Sequence, residues 1–198
     1  MADYEVIFEK YVKSKKRKKH CVSTALFMKK YARHFGINEE SAYLSGLIHD
    51  LGKELSVEEI LEFSDSFIKR GLFEVKYVDF KKRFPFLLHG VASAEIMISE
   101  LGISNISLLS SAVFHTTGGV NLDKLSKFTF LADFCEPTRE FKEAKIVHKL
   151  ITKKRDFDRA YFFSYRFIIE DLIRRMVEIC PDSIEGYNEA LSFVKINS

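Results

Sequence analysis

The chain has 198 residues, 46% of them hydrophobic, which is enough for one well-buried core, and its length favours one domain over two. Its 31 basic and 28 acidic residues leave a formal net charge of +3, which argues against the strong overall field of a nucleic-acid or membrane-surface protein. Cys21, Cys135 and Cys180 lie far apart without a C-x-x-C pair, and neither a signal peptide nor an apolar run of membrane-spanning length is evident, so a soluble protein of the reducing cytoplasm is expected.

Apolar residues recur at three- and four-residue spacing along the chain, and strict alternation over a strand's length is hard to find, so the expected fold is all-α. Six of the seven residues from Lys13 to Lys19 are basic, which by itself describes a solvated helix face. Behind them, Val22, Ala25, Leu26, Tyr31 and Phe35 continue a helix that Gly36 closes. Leu44, Leu47, Ile48 and Leu51 mark a buried helix ending near Gly52. Ser56 and Glu59 form a capping box that starts another, expected to run to about Phe63. Residues 64–85 are the least regular and are read as a short helix and a long loop, part of a lid. Further helices end at Gly102, at Gly118-Gly119 and at Pro137, and helices over 155–195 are expected to pack on a core spanning 17–139. The whole of 1–198 is read as one domain, without linker or repeat.

Four of the six histidines sit in arranged contexts: His20 in RKKH, His49 in LIHDLGK, His89 in LLHGVASAE and His115 in VFHTTGG. A lone helical histidine is usually structural or exposed, so the set carries the weight. His49 and Asp50 are adjacent on a buried helix, where an imidazole and a carboxylate must be paired, hydrated or bound to a common cation. Asp133, in FTFLADFCEP, is an aspartate among apolar neighbours and needs a partner too. Glu136 shares its face and suits either a histidine brace, a ribose contact or a surface ion pair. A small residue lies three positions from each of three histidines: Gly46 before His49, Ala112 before His115, Ala92 after His89. These suit close helix packing, around a site or otherwise. Arg17, Lys53 and Arg139 would bring positive charge to a phosphate substrate, although each alone reads as a surface charge. Thr116-Thr117-Gly118-Gly119 offers backbone N–H groups to a phosphate, or an ordinary helix stop.

In order, H…HD…H…H…D resembles the ligand pattern of the HD superfamily. The wording R-x-x-H at Arg17–His20, H-D-x-x-K at His49–Lys53, HG-x-x-x-A at His89–Ala94, HTTG at His115–Gly118 and AD-x-x-EP-x-R at Ala132–Arg139 resembles the YqeK-type symmetrical bis(5′-nucleosyl)-tetraphosphatases, over roughly residues 10–179. That resemblance implies an HD-domain helical bundle that hydrolyses diadenosine tetraphosphate to two ADP. It implies iron, manganese or a similar divalent ion, one or two in number, held by His20, His49, Asp50 and Asp133. His89 and His115 are then either ligands of a second ion bridged by Asp50 or donors to substrate phosphates. Asp50 and Lys53 would be catalytic, while Arg17, His89, His115, Thr116, Gly118, Glu136 and Arg139 would bind substrate. The implied partner is a small nucleotide polyphosphate rather than nucleic acid or membrane, and 19 phenylalanines leave a homodimer open.

Three alternatives stand beside this reading: an HD hydrolase for another nucleotide, a di-iron HD oxygenase using the same ligands, and a non-catalytic nucleotide-binding HD module. No G-Y-P follows His115, which argues against the cyclic dinucleotide phosphodiesterases. H-D-L-G-K-E in place of H-D-x-x-E-D argues against the guanosine tetraphosphate hydrolases.

Overall fold

The computed structural model describes residues 4–74 and 76–196. Residues 1–3, 75 and 197–198, which belong to the expected 1–198 domain, lie outside the described residues. Among the described residues there are eleven α-helices and no strand, as expected of an all-α chain.

Local sequence signals set many helix ends. The side chains of Ser14, Asn38, Asn105 and Asp123 accept hydrogen bonds from the first-turn N–H groups of α2 (Lys15–Ala32), α3 (Glu39–Ile48), α7 (Ile106–Phe114) and α8 (Lys124–Cys135). The Ser56–Glu59 capping box opens α4 (Val57–Lys69) as expected. That helix runs six residues past Phe63, because Ser64 and Phe67 are buried on its inner face. The irregular segment is therefore shorter than the sequence suggested: residues 70–74 and 76, then α5 (Tyr77–Arg83), then a 3-10 turn (Pro85–Leu88) leading into α6 (His89–Leu101). Arg70 pins the end of α4 to α6 through a bidentate pair with the buried Glu95 carboxylate, 2.6 and 2.7 Å.

The helices α2, α3, α6, α7 and α8 pack around one another and bury the site. Small residues allow the approach. A Cβ at position 46 would lie 2.7 Å from the Ala25 Cα, and one at position 90 would lie 2.4 Å from the Ala112 carbonyl oxygen, so α3 meets α2 and α6 meets α7 almost backbone to backbone. Preceding this core is α1 (Tyr4–Tyr11). After it, α9 (Lys142–Lys149) leads through a π-helical turn (Leu150–Lys154) to α10 (Phe157–Arg174), which packs on α8 and α9, and α11 (Pro181–Ile196) packs on α10. No helix among the described residues is long and apolar enough to cross a membrane.

Candidate metal centre

His49 and Asp50 sit at the end of α3, His89 at the start of α6, His115 just past α7, and His20 and Asp133 on α2 and α8. Five different helices thus bring these six residues to one place. His20, His49, Asp50, His89 and His115 are each at most 6% exposed.

The tautomers follow from the hydrogen bonds. His49 Nδ1 lies 2.9 Å from the Gly46 carbonyl, His89 Nδ1 2.6 Å from that of Phe86, and His115 Nδ1 2.7 Å from that of Ala112. A carbonyl only accepts, so each Nδ1 carries the proton and each Nε2 presents a bare lone pair to the centre. His89 Nε2 and His115 Nε2 then approach to 3.0 Å, and both face Asp50 Oδ1, at 3.3 and 3.1 Å. Lone pairs and a carboxylate oxygen at such distances repel one another unless a cation or a proton lies among them. Lys53 Nζ, 3.3 Å from His89 Nε2, and the Thr116 hydroxyl, 3.1 and 2.9 Å from the two Nε2 atoms, relieve this only in part. His49 Nε2 and Asp50 Oδ1 are buried with no hydrogen-bond partner at all.

Asp50 divides the centre. Its Oδ1 faces His89 and His115, while its Oδ2 is 3.6 Å from His49 Nε2 and accepts from Arg17 Nη1. His20, His49 and Asp50 form one group whose donor atoms lie within 4.8 Å of one another; Asp50, His89 and His115 form a second. Asp133 Oδ1 joins the first, 2.9 Å from His20 Nε2 and 3.9 Å from His49 Nε2. Imidazole and carboxylate donors converging in this way, with orphaned atoms among them, fit a divalent metal site.

Electrostatics differ around the centre. Burial lowers His49 to about 4 despite the neighbouring Asp50, so it is neutral, and burial lowers His89 as well. Burial opposes the charge of His20 too, but hydrogen bonds to Asp133 and Glu136 outweigh it and raise that imidazole to about 8. Burial disfavours ionised Asp133, yet the hydrogen bond from His20 and the charge of Arg139 hold its carboxyl well below its usual range. Arg139 donates to Asp133 Oδ1 at 2.6 Å and to its backbone carbonyl at 2.8 Å.

Glu136 is fully buried and is no surface ion pair. It takes the His20 Nδ1 proton at 3.0 Å and is itself held by the backbone N–H and hydroxyl of Thr138. Burial is again outweighed by these hydrogen bonds, and its carboxyl is lowered to about 2. This contact matches the histidine brace among the roles the sequence allowed, and sets it apart from ribose binding. Thr138 went unnoticed in the sequence; its position two residues past a buried glutamate is the signal.

Gly118 differs from expectation. Its N–H donates to the Phe114 carbonyl at 2.8 Å, and the Gly119 N–H donates to the Tyr165 hydroxyl at 2.9 Å, so neither group is free for a phosphate. Gly118 has φ +64° and a Cβ there would fall 1.8 Å from the Tyr165 hydroxyl, which is reason enough for glycine. The remaining histidines stand apart: His34 is exposed and His148 donates to the Cys135 carbonyl at 2.9 Å.

The helical bundle and its histidine–aspartate centre define a class, and the HD domain family matches residues 17–138. The chain belongs to the HD domain family. It is 29% identical, over 81% of both chains, to "Bis(5'-nucleosyl)-tetraphosphatase, symmetrical" of Halalkalibacterium halodurans. It is 26% identical to the protein of the same name from Bacillus subtilis, over 81% of this chain and 82% of that one. A crystal structure described as a predicted HD superfamily hydrolase involved in NAD metabolism, from Clostridium acetobutylicum, superposes with a TM-score of 0.83 at 28% identity, covering 97% of this chain and 98% of the other.

Proposed function

We propose that this chain is a metal-dependent phosphohydrolase that splits diadenosine tetraphosphate symmetrically into two ADP. The observation that carries the reading is the sharing of Asp50 between two ligand groups, with three cationic side chains around them. Arg17 lies on Asp50, Arg139 on Asp133 and Lys53 on His89. Such a ring of cations suits a polyphosphate; an oxygenase acting on carbon has no need of it, and a binding module has no need of six convergent ligands. The names of the bacterial relatives support the dinucleotide as substrate.

In this reading His20, His49, Asp50 and Asp133 hold a divalent ion, which we assign as iron with manganese as a substitute, and His89 and His115 with Asp50 hold a second. When bound, such ions acidify water near neutral pH and neutralise charge on phosphoryl oxygens. The chain's own groups do the rest. Arg17 and Arg139 have further guanidinium N–H groups to give to phosphate oxygens, and Lys53 Nζ, reaching in from the α3 end, stabilises charge on the phosphoryl group under attack. The Gly46, Phe86 and Ala112 carbonyls keep three imidazoles in the tautomer that presents Nε2, and Glu136 does the same for His20. Three free cysteines support a reducing cytoplasm as its location.

The test is product analysis. Manganese- or iron-loaded protein is incubated with diadenosine tetraphosphate and the early products are separated by anion exchange. ADP alone is expected, and ATP plus AMP would overturn the symmetrical assignment.

A further inference from the structure

His115 and Thr116 enter the centre from a loop that is held from outside. It continues as Thr117-Gly118-Gly119, all buried. Two successive glycines have no side chains with which to fix themselves, and glycine backbone is the freest to rearrange, so hydrogen bonds set the path of this loop. The C-terminal helices supply them. From α11 the Ser183 hydroxyl donates to the Thr117 carbonyl at 2.9 Å, and from α10 the Tyr165 hydroxyl accepts the Gly119 N–H at 2.9 Å. Just beyond, Glu189 of α11 accepts the Asn121 N–H at 2.7 Å. The Tyr165 ring is fully buried and its hydroxyl is wedged in place, since a Cβ would strike it from position 186 of α11 as well as from position 118. The strap leading to His89 leans on the same end of α11. Lys76 pairs with Asp182 and Glu185 at 3.0 and 2.9 Å, and Arg83 pairs with Glu178. These pairs are largely exposed and weigh little; the buried pins on residues 117–119 weigh more. The other side of the centre is built differently. His20, His49 and Asp133 are held by one another and by Gly46, Glu136 and Arg139, all in the chain before α9.

We propose, on the two-ion reading above, that Tyr165 and Ser183 are positioning residues for the second ion. From helices beyond the matched residues 17–138, they hold the loop where His115 Nε2 lies 3.1 Å from Asp50 Oδ1 and the Thr116 hydroxyl 3.1 Å from His89 Nε2. Both act through the backbone. Without the Tyr165 hydroxyl the buried Gly119 N–H has lost its acceptor, and without Ser183 the Thr117 carbonyl, two residues from His115, has lost its donor. A loop rich in glycine relieves such a loss by moving toward another partner, and that movement carries His115 and Thr116 with it. Convergent ligands tolerate little displacement. The C-terminal helices thus set the affinity of the second ion and leave the first alone.

The test is a Mn²⁺ titration, followed by electron paramagnetic resonance, on wild type, Tyr165→Phe, Ser183→Ala and Tyr161→Phe. The last removes a buried hydroxyl whose partner is the Tyr165 hydroxyl, 3.0 Å away, so it disturbs the same core without releasing the loop. Tyr165→Phe and Ser183→Ala are each expected to weaken the second ion about tenfold, the low end for groups that support a metal ligand, and to leave the first unchanged. Tyr161→Phe is expected to leave both unchanged. In the metal-free protein, Tyr165→Phe is expected to shift the imidazole NMR resonances of His115 and not those of His20. Either hydroxyl variant suffices should the other fail to fold. In a wild type that binds two ions, the proposal is overturned if the second is unchanged in both hydroxyl variants, weakens no more than the first, or weakens equally in Tyr161→Phe. A wild type that binds one ion refutes the two-ion reading, and the His115 resonances then decide alone: a shift in Tyr165→Phe keeps the positioning role, and no shift overturns it.

Discussion

On one side of Asp50, His20 is braced by the Glu136 carboxylate and faces a second carboxylate, Asp133; on the other, His89 and His115 are braced by neutral backbone carbonyls and His89 faces Lys53. The two sides use the same donor, imidazole Nε2, with different charge behind it. A carboxylate behind an imidazole raises its basicity as well as fixing its orientation, whereas a carbonyl mainly fixes orientation. The first side therefore combines two aspartates, each paired with an arginine, with a histidine raised to about 8. The second combines one shared carboxylate oxygen with two carbonyl-braced imidazoles and a nearby ammonium that repels a cation. We expect two ions of unequal affinity, the tighter between His20, His49, Asp50 and Asp133.

Glu136→Gln removes the charge behind His20 while keeping an oxygen to accept its Nδ1 proton. Metal affinity of the tight site should fall about 10–100-fold, read by competition with a chelating dye, and unchanged affinity would mean that the carboxylate does no more than a carbonyl. Lys53→Ala acts on the other side. Loss of the ammonium should strengthen the weaker ion roughly tenfold, the size of one screened charge a few ångströms away, while lowering kcat/KM if Lys53 serves the phosphoryl group. A weaker site that does not respond would remove Lys53 from the comparison.

The smallest effect is on the pH dependence of the metal-free protein. His49, lowered to about 4, binds its proton more readily unfolded, so its contribution is complete above about pH 6.5 and is lost as pH falls toward 4. His20, raised to about 8, works in the opposite sense: its contribution is complete below about pH 6.5 and is lost as pH rises through 8. Together these give a stability maximum near pH 6.5, to be checked by urea unfolding across pH. Absence of the decline between pH 6.5 and 8 would show that His20 is not held as described, because that side has no carboxylate contribution.

The sequence made one half of this comparison more legible than the other. The six clustered histidines and aspartates and the three cations stood out because histidine, aspartate and arginine are conspicuous among apolar neighbours, and Ser56, Gly36 and Gly102 marked helix ends that the structure keeps. The bracing carbonyls were silent, since every residue has one; Gly46 and Ala112 were noticed for their size, yet their carbonyl oxygens also hold His49 and His115. Residues 64–85 looked irregular throughout, but tertiary burial of Ser64 and Phe67 carries α4 on to Lys69. Gly118 looked like a phosphate cradle because nothing local announces Tyr165, 47 residues away, whose hydroxyl occupies the space.

The most direct test of the shared Asp50 is an equilibrium titration with Mn²⁺, following free metal by electron paramagnetic resonance, on wild type and Asp50→Ala. Two sites of unequal affinity are expected in the wild type and severe loss of both in the variant, with a folded circular-dichroism spectrum retained. An Asp50→Ala protein that still binds the first ion as tightly as wild type would contradict it.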